Sequence, residues 1–150
     1  MKAIASFLWD MLYFLTGEGT WHLRAQEQLV LEAAIASLSE DIQSQLRDQL
    51  KNKLFVQRSH RQISRPRFYS KPLLVNELTH KLLKVEIDVG GAKEFAHVEF
   101  YKGRVDSIQF KHPGKFYSGK ALKVIGVKSC NPKVSHAAAI DNSEHGSQHL

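Results

Sequence analysis

Near Leu54 the apolar rhythm of this 150-residue chain changes from every third or fourth residue to every second one, and that switch limits the fold more than any other feature. A repeat near 3.6 residues lays apolar side chains along one side of a helix, whereas a repeat of two puts them on one face of a strand. A chain that follows the first rule and then the second has its helices first and its sheet after. Single helices and strands do not alternate along it, so the sheet is expected to be antiparallel.

Three helices are expected before the switch. Ile4, Phe7, Leu8, Met11, Leu12 and Leu15 form a stripe that predicts a helix over 3–16. Trp9, Tyr13 and Phe14 widen that stripe until only Ser6, Asp10 and the helix ends look wet, and Gly17 and Gly19 end the helix. Leu23, Val30, Leu31, Ala34, Ile35 and Leu38 give the buried side of a second helix over 20–36, with Arg24, Gln28 and Glu32 on its wet side. Ser37 followed by Glu40 fits a capping box opening a third helix over 38–54, whose row is Leu38, Ile42, Leu46, Leu50 and Leu54.

A sheet is expected over 55–128. Leu83, Val85, Ile87 and Val89 alternate with Lys84, Glu86 and Asp88, and Gly90-Gly91 is a hairpin signal. Ala96, Val98 and Phe100 then point inward and His97, Glu99 and Tyr101 outward. A two-residue turn at Lys102-Gly103 sets Tyr101 opposite Arg104 and Phe100 opposite Val105. The inward set would continue at Ser107 and Gln109, yet the apolar residues are Ile108 and Phe110. One extra residue near Asp106-Ser107, a β-bulge, restores the phase. Ala121 to Val127 is apolar on both faces and is expected to be a covered strand. Residues 129–150, small and polar, are expected to form a mobile tail. The fold class is α+β: one domain over 1–128, in two layers, with N-terminal helices packed on a four- to five-stranded antiparallel meander.

Known chemistry finds little support. Gly90-Gly91 lies between two strands rather than before a helix, and no serine sits in a Gly-x-Ser-x-Gly elbow. The eight histidines are scattered. His145 and His149 are four apart, but in a segment that contains Gly146 and lacks a helical pattern. The single cysteine, Cys130, excludes an internal disulfide and any multi-cysteine zinc site. No catalytic residue, metal site or cofactor is assigned. His97 and Glu99 could form a carboxylate-held general base, but a solvated sheet face gives the same pattern, so an enzyme ranks last.

Two segments remain as binding candidates. Net charge is +6, yet residues 51–84 hold nine basic side chains against one acidic. Lys51, Lys53, Arg58, Arg61, Arg65, Arg67 and Lys71, with Phe68-Tyr69 at the end, are the anion or nucleic-acid candidate. Phe7, Trp9, Tyr13 and Phe14 on the first helix are the partner-binding candidate, because aromatic side chains commonly anchor interfaces. A membrane surface is disfavoured, Lys2 being that helix's only cation.

Asp10 interrupts the first apolar run and residues 16–19 make a poor cleavage site, so the segment is read as part of the mature protein, with a cytoplasmic location expected. The expected role is a non-enzymatic protein-interaction or regulatory module that binds another protein or itself. Nucleic-acid or other polyanion binding through 51–71 is the alternative.

Overall fold

The computed structural model describes residues 2–60, 62–69 and 71–131, with side chains from Phe7 onward. Among these residues four helices and seven strands follow one another as α1 (Lys2–Leu15), β1 (Gly19–Thr20), α2 (Ala25–Ala36), α3 (Glu40–Leu50), β2 (Leu54–Ser59), β3 (Ile63–Phe68), β4 (His80–Val89), β5 (Ala92–Tyr101), β6 (Arg104–Phe110), α4 (Gly114–Tyr117) and β7 (Leu122–Cys130). The strands make one antiparallel sheet in the order β1-β2-β3-β6-β5-β4-β7. The α+β class and the antiparallel sheet stand. The four- to five-stranded meander does not. Only β4, β5 and β6 run as a meander, β3 joins that unit through Ile63 and Ser64 opposite Gln109 and Ile108, and β7 returns to the far side of β4.

The β4–β5–β6 unit follows the expected alternation. Leu83, Val85, Ile87, Ala96, Val98 and Phe100 are buried together with Val30, Leu31, Ala34 and Ile35 of α2 and Leu46 of α3. The register steps from Glu99 opposite Ser107 to Phe100 opposite Val105, leaving Asp106 as the extra residue. That bulge turns Ile108 and Phe110 into the core. Both hairpin turns use left-handed residues, Gly90 and Gly91 in the first, Lys102 and Gly103 in the second. Glycine is favoured at 103 for a further reason. A Cβ on it would stand 2.8 Å from the backbone N and O of Val75, in the loop that the turn holds by Val75 N–H to Gly103 O at 2.9 Å and Gly103 N–H to Leu78 O at 2.7 Å.

The N-terminal third departs from expectation in three ways. First, the second helix begins at Ala25 rather than near Thr20, because Gly19 and Thr20 pair with Gln57 and Val56 as an edge strand. Second, Ser37 caps the end of α2, its hydroxyl donating to Ala34 O at 2.7 Å, and Ser39 is the residue that precedes α3. Third, the helices do not share one layer. Adjacent residues of β2 point to opposite faces, and Gln57 reaches α1 while Arg58 reaches α2. The β1–β2–β3 end of the sheet is therefore sandwiched.

β7 was expected to be covered and is instead an edge strand. Its register skips Ile125 between Val124 opposite Ile87 and Gly126 opposite Glu86. The extra residue switches the inward phase, so Leu122, Val124 and Val127 pack on the core and Ile125 is exposed. This explains an apolar run on both faces without a covering layer. Ser129 and Cys130 belong to β7 rather than to the expected tail, and 132–150 lies outside the described residues.

Candidate interaction surface

α1 is turned over relative to an ordinary amphipathic helix. Asp10, which looks like its wet residue, is 1% exposed, whereas seven large apolar side chains on the same helix are exposed. The cause lies in the hairpin beneath it. Phe55 pairs with Arg67 and Gln57 with Arg65, which sets these four residues on the α1 face of β2 and β3. Gln57 Nε2 donates to Asp10 Oδ1 at 3.1 Å, Arg67 Nη1 donates to the same oxygen at 3.0 Å, and the Tyr69 hydroxyl donates to Asp10 Oδ2. Three donors from one hairpin fix the carboxylate. Such charge-assisted bonds are about twice as strong as neutral ones.

Aromatic packing braces this latch. Trp21 stacks on Tyr69 with ring centres 5.4 Å apart and meets Phe55 edge-on at 4.9 Å. Gly19 lets the helix settle. A Cβ there would collide with the Phe55 ring and stand 3.1 Å from Tyr13 Cβ. Burial pushes the Tyr69 phenol up to about 12, helped by the Asp10 hydrogen bond and charge and opposed by Arg67.

With Asp10 and Tyr13 turned toward the sheet, the opposite side of α1 presents Leu8, Met11, Leu12 and Leu15. These occupy i, i+3, i+4 and i+7, a single helical stripe. Phe7 and Phe14 border it on one side and Trp9 on the other, Trp9 being 60% and Leu15 74% exposed. Of the expected partner-binding residues, Phe7, Trp9 and Phe14 are exposed and Tyr13 is half-buried. From Phe7 onward, the apolar stripe read from the periodicity faces outward. Periodicity shows that a helix has an apolar side but not which way it faces. Among the described residues no helix is long and apolar enough to cross a membrane.

The basic segment is distributed rather than assembled. Arg58 is buried and forms a two-pronged pair with Glu27, Arg67 binds Asp10, and Lys51 pairs with Asp48 at 2.6 Å. Lys53, Arg65 and Lys71 are exposed, and Arg61 lies outside the described residues. Strand alternation separates Arg58 from Arg65 and Arg67 by placing them on opposite faces.

The outer face of the sheet holds His97 and Glu99 beside a cleft of about 470 Å³, with Ser107 and Cys130 in its lining. Glu99 pairs with His80 at 2.8 Å and accepts from Ser107 Oγ at 3.3 Å, so the expected His–carboxylate pair exists with a different histidine. His97 instead packs edge-on against Phe95. Burial, then the nearby Lys84 ammonium, lower its pKa. Sequence reasoning missed His80 because only the β4–β5 register brings it beside Glu99, with Leu82 the residue directly opposite. Among the described residues no group of three or more His, Cys, Asp or Glu side chains could hold a metal ion.

No protein-family model, curated protein or solved structure matches this chain.

Proposed function

We propose that this chain is a non-enzymatic protein-interaction module, and that α1 is the element it offers to its partner. The observation that carries this reading is the inversion of α1: its buried carboxylate faces the body and its apolar stripe faces water. Leaving so much apolar surface wet has no benefit to the isolated fold, and contiguous apolar patches of several hundred Å² mark interaction sites. The spacing of Leu8, Met11, Leu12 and Leu15 suits insertion of a helix into an apolar groove on another protein, which reads anchors at i, i+3, i+4 and i+7. Phe7, Trp9 and Phe14 add aromatic area at the rim of that stripe.

The helix is presented rigidly. Asp10, Gln57, Arg67 and Tyr69 fix its rotation, which lowers the ordering cost that a loose peptide would incur on docking. Polyanion binding through 51–71 has weaker support, since Arg58, Arg67 and Lys51 already meet carboxylates of the same chain.

The test replaces Leu8 and Leu12 together with Glu in the tagged, full-length protein and compares stability and co-purification with wild type. Expected are an unchanged melting temperature and loss of a stoichiometric co-purifying protein. A doubled mass that the substitutions abolish would identify the partner as a second copy. A marked fall in melting temperature of the monomer would show the stripe to be internal and would end the proposal.

A further inference from the structure

A cleft of about 570 Å³ opens between the turn after α1 and the short helix α4, with Arg24, Arg58, Lys115 and Glu18 supplying its charge. The carboxylate behind it is already filled. Glu27 accepts from Arg58 Nε and Nη2 at 2.7 Å each, from Ser64 Oγ at 2.5 Å, and from the Arg24 backbone N–H at 2.8 Å. Four donors occupy the sites two carboxylate oxygens offer. The Arg24 side chain is thus left near Glu27 without a bond to it, and its guanidinium donates to none of the described residues. Burial, then the like charge of Arg58, push its pKa below the usual arginine range, with Glu27 pulling the other way.

Gly114 makes room for this cation. A Cβ there would stand 2.7 Å from Arg24 Nη1, so the guanidinium lies directly on the glycine backbone. This half-buried cation, whose five N–H groups meet no acceptor among the described residues, stands beside a second guanidinium and a lysine and suits an anion.

We infer that this cleft is an oxyanion site that takes the phosphoryl group of a small molecule, gripped by Arg24 with Lys115 alongside. A planar fork suits phosphate oxygens, and the volume suits a metabolite-sized ligand. Glu18 lines the same cleft and opposes any anion, so it weakens binding.

The experiment titrates the full chain with inorganic phosphate and, separately, acetate, at ionic strength held constant with sodium chloride. Backbone amide shifts in NMR spectra follow residues 16–18 and 114–116. Phosphate is expected to give saturable shifts confined to those residues, with affinity reduced about tenfold or more in Arg24→Met, which keeps the backbone bond to Glu27. Gly114→Ala should weaken binding without removing a charge, and Glu18→Gln should strengthen it. The sheet amides report that each variant remains folded. Non-saturating shifts, or equal shifts in Arg24→Met and wild type, would mean an adventitious ion only and would overturn the inference. A tighter response to acetate than to phosphate would overturn the phosphoryl assignment.

Discussion

Arg58 grips Glu27 with two parallel hydrogen bonds of 2.7 Å, both side chains being almost wholly buried. The pair is built by register. Ser64 stands opposite Arg58 across β2 and β3, and both donate to Glu27 Oε1, tying the hairpin to the first turn of α2. Arg58→Ala would leave a buried carboxylate without its counter-ion, and a loss of about 3–5 kcal/mol is expected in urea unfolding. Replacing both partners with Leu and Met should recover most of that loss, because two buried charges are then removed together.

The same pair sets an acid limb. Burial pushes the Glu27 carboxyl up, but hydrogen bonds from Arg58 and Ser64, the Arg58 charge and the Arg24 amide together bring it below the usual glutamate range. A group whose folded pKa is depressed stabilises the protein fully above its unfolded value, about 4.3 for glutamate, and loses that contribution as pH falls through the folded value. Unfolding free energy measured between neutral and acidic pH should therefore fall less steeply in Glu27→Gln than in wild type. Equal slopes would assign the acid limb to other carboxylates.

On the other face of the hairpin, Asp10→Ala should release α1 while the sheet persists. A loss of about 1–3 kcal/mol and faster proteolysis within residues 2–15 are expected. In Asp10→Asn the Tyr69 phenol, freed from the neighbouring charge, should titrate below its value of about 12, as followed by near-ultraviolet absorbance at high pH.

Gly103→Ala meets two obstacles at once. Its φ of 76° is unfavourable for a side chain, and the new methyl would press on the Val75 backbone. Destabilisation of about 1 kcal/mol or more is expected, with hydrogen exchange accelerated first at the amides of Val75 and of residue 103, which donate in the loop contact.

Local patterns carried the fold a long way. The β4–β5 and β5–β6 hairpins, their registers and the bulge at Asp106 follow from turn residues and a two-residue period. What failed was non-local. A two-residue strand such as β1 has no periodicity to read, and its identity depends on β2 more than thirty residues later. The β3–β6 junction likewise rests on two residue pairs.

The ion partners of two charged side chains were hidden for a related reason. Asp10 looks solvated until Arg67 and Tyr69, far along the chain, meet it. Arg58 looks like part of a basic patch until strand alternation turns it toward Glu27. A charge is legible in sequence, and its partner is not.

The exposure of α1 is tested most directly by the fluorescence of Trp9 in a Trp21→Phe background, measured on the monomer with acrylamide as quencher. An indole in water, emitting at long wavelength and readily quenched, is the expected result, as Trp9 is 60% exposed. A blue-shifted, poorly quenched Trp9 in a folded monomer would mean that the apolar stripe is covered by the chain's own residues, and α1 could not be the docking element.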